Sequence, residues 1–237
     1  MILAPVTSSD RLALAVIPAR GGSRGLPGKH LRRIAGVPLI AHTIRAALDA
    51  RRVDRVLVSS DDPKIIGAAR RYGAEAPFRR PAGLSGEGAP TAPVIEHAVD
   101  WFEEHERRGI ELVVTLQPTS PLRTSAEIDA AIALLDDPAI DSAVSVVPIG
   151  LASSVVGTES EGRWHPLVVA GGDARRQASP EVLRLTGGIY VTRRRVLADG
   201  RLVGEEAALL VVGPDSAIDI DTEADLVAAR AAWRRAR

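Results

Sequence analysis

Short apolar runs alternate with helical patterns along most of the chain, and this alternation limits the possible folds more than any other feature. The strand-like runs are residues 12–17 (LALAVI), 55–59 (RVLVS), 110–116 (IELVVTL) and 143–147 (AVSVV). The helical patterns between them cover residues 38–50, 63–72, 91–107 and 128–135. Such alternation predicts parallel strands joined by right-handed crossovers. Strands that lack polar alternation are buried on both faces. We therefore predict an α/β fold in which helices cover both faces of a mostly parallel, twisted sheet.

Several residues at the predicted helix starts support this division. Thr124 and Glu127 have the spacing of a capping box. Asp62 directly precedes Pro63 and suits an N-cap. Pro38 is predicted in the first turn of its helix, where the missing N–H costs least.

The alternation of strand-like and helical patterns becomes irregular after residue 148. Residues 149–182 contain Gly, Ser and Arg with one short apolar run, and regular patterns return at 188–192 and 208–212, followed by a helix over 222–233. We interpret the chain as a single domain over residues 1–237 with a small inserted arm at 149–182. The arm also suggests a homodimer.

Composition excludes several function classes. Lys and Arg together number 30, as do Asp and Glu, and this balance argues against a general nucleic-acid binder. The chain has no cysteine, so disulfides and thiolate catalysis are excluded. No apolar run approaches the length that spans a bilayer, and residues 1–10 do not resemble a signal peptide. We expect a cytoplasmic protein without a membrane partner.

The run with the most chemical information is residues 17–29 (IPARGGSRGLPGK), which directly follows the first strand. Residues 20–29 contain four glycines, two arginines and a lysine. Glycines allow backbone N–H groups to approach phosphate oxygens, and the cations offset their charge. The glycine spacing matches neither a P-loop nor a dinucleotide-binding fingerprint. A flexible basic surface loop is the alternative, but open α/β sheets bind ligands at this end of the strand.

This run resembles the signature of CMP-acylneuraminate synthetases and related cytidylyltransferases. Further runs match that family in the same order along the chain. They are residues 58–62 (VSSDD), 80–84 (RPAGL), 116–123 (LQPTSPLR), 184–190 (RLTGGIY) and 218–221 (IDID). The resemblance covers residues 12–226. It implies a Rossmann-like three-layer nucleotidyltransferase fold and transfer of CMP from CTP to a small anionic acceptor, with pyrophosphate released.

The resemblance also implies roles for individual residues. The triphosphate is held by the catalytic residues Arg20, Arg24 and Lys29. The nucleotide contacts are Ala19, Gly21, Gly22, Ser23, His30, Arg80, Thr91 and Gln117. The acceptor contacts are Arg123, Arg176, Gln177, Thr186 and Tyr190. Mg²⁺ or Mn²⁺ is held by Asp219 and Asp221.

Physical chemistry supports some of these roles and leaves alternatives for others. Asp219 and Asp221 are spaced to share one face of an extended segment and suit Mg²⁺, although Asp221 can instead cap the last helix. Gln117 follows a buried strand, and its side-chain amide can both donate and accept hydrogen bonds. This suits the edge of a nucleotide base, or alternatively a hydrogen bond within the loop that contains Gln117. Arg123 can bind an acceptor anion or pair with Glu127.

The chain departs from the family pattern mainly on the acceptor side. His30 and Thr186 stand where the sialate enzymes have Asn, Glu87 stands for an Asp, and residues 149–156 carry no charge. Two acceptors therefore remain open, a sialic-acid-type 2-keto sugar acid and a phosphonate such as phosphonoformate. A non-catalytic nucleotide-binding module and a nucleotidyltransferase for another NTP are the alternative functions. Residues 193–195 (RRR) are interpreted as solvated.

Overall fold

The computed structural model describes residues 12–23, 25–152, 157–166 and 181–235. The strands in these ranges are β1 (Leu12–Pro18), β2 (Arg33–Ile34), β3 (Val37–Pro38), β4 (Arg55–Ser59), β5 (Ile110–Leu116), β6 (Ser142–Ala152), β7 (Gly157–Ser160), β8 (Arg163–Pro166), β9 (Glu181–Arg193) and β10 (Ala207–Val211). The α-helices are α1 (Leu39–Leu48), α2 (Pro63–Arg71), α3 (Thr91–Glu106), α4 (Ser125–Ala133), α5 (Arg194–Ala198) and α6 (Glu223–Arg235).

The main sheet of the described residues has the strand order β10-β6-β9-β5-β1-β4. β1 pairs in parallel with both β4 and β5, and β10 pairs in parallel with β6. β9 runs antiparallel to β5 and β6, between which it lies. The prediction of a mostly parallel α/β sheet is therefore confirmed.

Helices cover both faces of this sheet, as the uninterrupted apolar strands predicted. Alternate residues of β1 point to opposite sides: Ile17 packs in a cluster with α1, α2 and α4, whereas Val16 packs in a cluster with α3. Phe102 of α3 is fully buried in the second cluster. Because both sides of β1 are covered, the sheet forms the middle of three layers.

The region predicted as an inserted arm begins as an extension of the sheet. β6 and β9 remain paired as far as Ala152 and Glu181. β7 and β8 form a separate antiparallel hairpin in the connection between them. Residues 153–156 and 167–180 lie outside the described ranges. The single-domain and homodimer interpretations stay predictions. Within the described ranges, no helix combines the length and apolarity that crossing a bilayer requires.

Most helix starts agree with the sequence. Asp62 caps α2 by accepting a hydrogen bond from the Lys64 N–H at 2.7 Å, and Pro63 is the first helical residue. Pro38, in contrast, lies one residue before α1 with extended backbone angles, because it pairs with Arg33 in the small β2–β3 ladder. The prediction that Pro38 lies in the first turn was wrong by one residue.

Thr124 supplies the cap of α4 and offers a test of local stability. Its hydroxyl accepts from the Glu127 N–H at 3.2 Å, and the Glu127 carboxylate accepts from the Thr124 N–H at 2.7 Å. We expect Thr124→Ala to lower the free energy of unfolding by about 1 kcal/mol. Urea denaturation measures this loss, with Ser125→Ala as the matched control one residue into the helix. An equal loss in both variants would contradict a specific cap.

Candidate active site

The glycine-rich loop and the aspartate pair meet through a small apolar cluster. Leu26 of the loop and Ile220, which separates the two aspartates, are both buried against Leu226 of α6. Gly25 lies so close to this segment that a Cβ atom there would lie 2.6 Å from the Asp221 carbonyl oxygen. The Lys29 ammonium donates to Asp221 Oδ1 at 2.8 Å. Lys29 and Asp221, which are 192 residues apart in the sequence, are thus adjacent in space.

A cavity opens beside this contact, at the carboxyl ends of β1 and β5. Most of the predicted nucleotide and triphosphate residues line it. Those residues are Arg20, Ser23, Lys29, His30, Arg80, Thr91 and Gln117. Leu84, Gly86, Glu87 and Thr119 also line it. Since carboxyl ends of parallel strands form the ligand edge of open α/β sheets, the position suits a nucleotide.

His30 presents a neutral imidazole to the cavity. It lies in the short 3₁₀ turn Lys29–Leu31 and is 6% exposed. Burial is the largest cause that lowers the pKa of His30 to about 3, and the charges of Lys29, Arg20 and Arg80 contribute to this lowering. Its Nδ1 is buried and has no hydrogen-bond partner among the described residues. His30 therefore offers a hydrogen-bonding group and no charge at neutral pH.

Arg80 is the most deeply buried cation lining the cavity, at 5% exposure. Burial is the main cause that lowers the pKa of its guanidinium. Its Nε and Nη2 atoms lack hydrogen-bond partners within the described part of the chain. The Asp61 Oδ1 lies 3.6 Å from Nη2. A buried guanidinium with unused donors is prepared to bind a ligand acceptor.

The start of the glycine-rich loop is fixed to the strands. Ala19 is fully buried and its N–H donates to the Ser59 carbonyl at 3.0 Å. The Gly21 N–H donates to Asp61 Oδ1 at 3.0 Å, so this predicted nucleotide donor is already used inside the protein. Gly22 is followed by Ser23, which lines the cavity. Arg24 lies outside the described residues.

The loop that follows β5 connects the cavity to the aspartate pair. The Gln117 N–H bonds to the Gly188 carbonyl of β9 at 3.3 Å, and the Ile220 N–H bonds to the Thr119 carbonyl at 2.9 Å. The side chain of Gln117 lines the cavity. The loop therefore positions Gln117 and Asp221 relative to each other.

Two predicted acceptor residues support this loop from inside the protein and do not line the cavity. Arg123 is 4% exposed, donates through Nη2 to the Gln117 carbonyl, and has a pKa that burial lowers to about 9. The hydroxyl of Thr186 contacts Ser145 Oγ at 2.6 Å and accepts from the Gly188 N–H at 3.1 Å. The Thr186 hydroxyl therefore has partners within the fold, whereas Arg123 bonds through Nη2 and its buried Nε and Nη1 have no hydrogen-bond partner among the described residues.

Of the remaining acceptor predictions, Tyr190 is described and does not line the cavity. Tyr190 lies on β9, and burial, followed by the charge of Asp219, raises the pKa of its hydroxyl. Arg176 and Gln177 lie outside the described ranges.

Asp219 and Asp221 form an exposed carboxylate pair on either side of the buried Ile220. Asp221 does not cap α6: the Thr222 hydroxyl accepts from the Asp225 N–H at 3.3 Å, and the Asp225 carboxylate accepts from the Thr222 N–H at 2.8 Å. The described residues contain no group of three or more His, Asp or Glu side chains that could hold a metal alone. Two carboxylates fit Mg²⁺ or Mn²⁺, since Mg²⁺ takes its other ligands from phosphate and water.

Sequence reasoning missed two features of this site. Asp61 joins the glycine-rich loop to Arg80, and its signals were its place in the motif at 58–62 and its position two residues after β4 at the ligand edge. The apolar cluster of Leu26 and Ile220 brings the loop to the aspartates, and its signal was the apolar residue inside each polar motif.

Comparison with known proteins finds a matching family model and similar proteins. A model of the family described as Cytidylyltransferase matches residues 14–163. The chain is 35% identical over 218 residues to the CMP-N,N'-diacetyllegionaminic acid synthase of Legionella pneumophila, covering 90% of this chain and 92% of that protein. It is 29% identical over 234 residues to N-acylneuraminate cytidylyltransferase A of Danio rerio, covering 93% of this chain and half (50%) of that protein.

Solved structures share the fold. CMP:2-keto-3-deoxy-manno-octonic acid synthetase in complex with CTP superposes with a TM-score of 0.70 at 24% identity, covering 95% of this chain and 100% of that one. The 4-diphosphocytidyl-2C-methyl-D-erythritol synthase of Anaerococcus prevotii superposes with a TM-score of 0.67 at 13% identity, covering 96% of this chain and 98% of that one.

Proposed function

Because the chain belongs to the cytidylyltransferase family, we propose that it transfers CMP from CTP to a sialic-acid-type 2-keto sugar acid and releases pyrophosphate. The observation that carries this proposal is the convergence of Lys29, Asp221 and the cationic cavity at one edge of the sheet. A triphosphate bound in this cavity would contact Arg20 and Lys29, and Lys29 also pairs with Asp221 of the carboxylate pair. That arrangement suits a metal-chelated nucleotide.

The reaction is an in-line displacement at the α-phosphorus of CTP. An acceptor hydroxyl oxygen forms the new P–O bond, the bond between the α-phosphorus and the bridging oxygen of pyrophosphate breaks, and the hydroxyl proton passes to solvent base. Lys29 and Arg20 offset the charge that develops on the leaving pyrophosphate. Asp219 and Asp221 would hold Mg²⁺, which supplies charge stabilisation when bound.

Four hydrogen-bonding side chains of the cavity suit the nucleoside. His30, Thr91 and Gln117 can donate or accept hydrogen bonds there. Arg80 adds N–H donors that fit the carbonyl oxygen of a pyrimidine. We infer that these four residues recognise cytidine.

A sugar acid is the better supported acceptor. The relatives described above are named for sugar acids, and the first of them aligns over most of both chains. Arg123 is buried beneath the Gln117 loop and Arg184 donates to the Ala217 carbonyl at 3.2 Å, and neither of them lines the cavity. We also infer a cytoplasmic homodimer.

A nucleotide panel followed by an acceptor panel tests the proposal. We expect CTP with Mg²⁺ to raise the melting temperature more than UTP, GTP or ATP, because only ligands that bind the native state stabilise it. Pyrophosphate release is then measured with N,N'-diacetyllegionaminic acid, N-acetylneuraminic acid, 2-keto-3-deoxy-manno-octonic acid and phosphonoformate. Release with at least one sugar acid is expected. Stabilisation by GTP alone would contradict CTP specificity, and release with phosphonoformate alone would contradict the sugar acid.

A further inference from the structure

One carboxylate contacts both the glycine-rich loop and a buried cation that lines the cavity. Asp61 follows β4, and its Oδ1 accepts the Gly21 N–H at 3.0 Å. The same oxygen lies 3.6 Å from Nη2 of Arg80. Asp61 is partly buried, with a side chain that is 29% exposed. A single oxygen therefore links the start of the glycine-rich loop to the buried arginine.

Backbone contacts fix Asp61 and Arg80 in this relation. The Arg80 N–H donates to the Ser60 carbonyl at 2.8 Å, and Arg79 Nε donates to the Asp61 carbonyl at 2.8 Å. On the other side, Asp62 is held as the N-cap of α2. Asp61 is thus attached to rigid elements before and after it. These contacts fix the backbone of Asp61 next to Arg80, and the Gly21 N–H holds its carboxylate.

The distance between the two groups has a chemical consequence. At 3.6 Å the charges attract strongly, but the separation exceeds a normal N–H···O hydrogen bond. Asp61 therefore offsets the cost of burying the Arg80 charge and leaves the Nε and Nη2 donors unused. A closer carboxylate would bind those donors and compete with a ligand.

We propose that Asp61 is a positioning residue for nucleotide binding, which orients Arg80, offsets the cost of burying its charge and fixes the glycine-rich loop at Gly21. This inference rests on the proposed function, because it concerns the nucleotide of that reaction. Asp61 itself does not line the cavity; it acts through Arg80 and Gly21.

The substitution Asp61→Asn removes the charge of Asp61 and keeps its ability to accept a hydrogen bond. The amide oxygen of Asn can still accept the Gly21 N–H, whereas the charge facing Arg80 is lost. We expect the KM for CTP and the Kd for CTP measured by calorimetry to rise about tenfold, as for loss of one charge-assisted interaction. We expect kcat and the KM for the acceptor to change by less than about twofold, because uniform binding is lost and the transition state is not specifically affected.

Two further variants make the test specific. Asp61→Ala also removes the Gly21 contact and should weaken CTP binding more than Asp61→Asn does. Asp62→Asn removes the neighbouring charge but keeps a good N-cap of α2, so its CTP affinity and melting temperature should match the original protein.

The outcomes distinguish this inference from the function on which it rests. The original protein is first tested for nucleotide binding, and the Asp61→Asn measurement uses whichever nucleotide stabilises it. Unchanged affinity in Asp61→Asn would overturn the positioning role even if CTP is turned over normally. A fall in kcat with unchanged nucleotide affinity would also overturn it. So would a loss of thermal stability in Asp61→Asn as large as in Asp61→Ala, since Asp61 would then serve the fold.

Discussion

Asp221→Ala is expected to lower kcat by at least about a thousandfold while the protein stays folded, because a metal ligand supplies several kcal/mol of transition-state stabilisation. The Asp221 side chain is 70% exposed, and its partner is Lys29. Removing such an exposed carboxylate costs at most about 1 kcal/mol of folding free energy. The cap of α6 is unaffected, because Thr222 and Asp225 form it.

The measurement is pyrophosphate release with saturating CTP and Mg²⁺, together with thermal melting. Glu223→Ala is the matched control: Glu223 is similarly exposed, lies two residues away and pairs with Arg32 at 2.6 Å. It should keep nearly full activity. Near-normal turnover in Asp221→Ala would place the metal elsewhere, and a comparable loss in Glu223→Ala would indicate a general effect of charge at this end of α6.

The layers of the fold could be predicted from the sequence because they depend on local patterns. Strands whose apolar residues do not alternate with polar ones are expected to be covered by helices on both faces of the sheet, and β1 is covered on both. The capping box at Thr124 specified the start of α4 within a few residues. The antiparallel direction of β9 could not be predicted in this way. It depends on how the chain returns from the region after β6, which has no regular pattern in the sequence.

Residues within a self-contained motif were identified from the sequence, whereas the long-range partners of a side chain were not. The glycine-rich loop and Asp221 were identified, and the structure brings them together. Arg193 and Arg194 were interpreted as solvated, and this was wrong. Arg193 bonds to the Ile140 carbonyl at 2.8 Å, and Arg194 pairs with Asp100 at 2.6 Å. A run of arginines in sequence does not reveal distant carbonyl and carboxylate partners.

Arg123 is a second residue whose partner could not be predicted from the sequence. An arginine in a loop at the ligand edge suggested an acceptor contact, yet it is buried and holds the Gln117 carbonyl from below. Thr186 likewise bonds within the sheet, at the shift in register between β6 and β9. Sequence indicates that such residues matter to a motif. It does not indicate whether they face the ligand or support the residue that does.

Lys29→Ala is expected to lower kcat/KM for CTP by about 10²- to 10³-fold, the usual cost of removing one preorganised donor to developing negative charge. The Lys29 side chain is only 12% exposed and lines the cavity beside Arg20. Arg32→Ala is the matched control, since Arg32 lies three residues on and pairs with Glu223 outside the cavity lining. Steady-state kinetics with varied CTP measures both variants. An unchanged rate in Lys29→Ala would contradict its place at the triphosphate.

Combining Lys29→Ala with Asp221→Ala asks whether the two residues act on one ligand. If both residues hold the same metal-chelated triphosphate, the first substitution already removes most of the transition-state stabilisation that they supply together. The second substitution then has a small further effect, because effects of residues that act as a unit are far from additive. The double variant should then lose little more than Asp221→Ala alone. Losses that multiply would mean independent sites. Because Lys29 and Asp221 lie 2.8 Å apart in the protein, we expect the non-additive result.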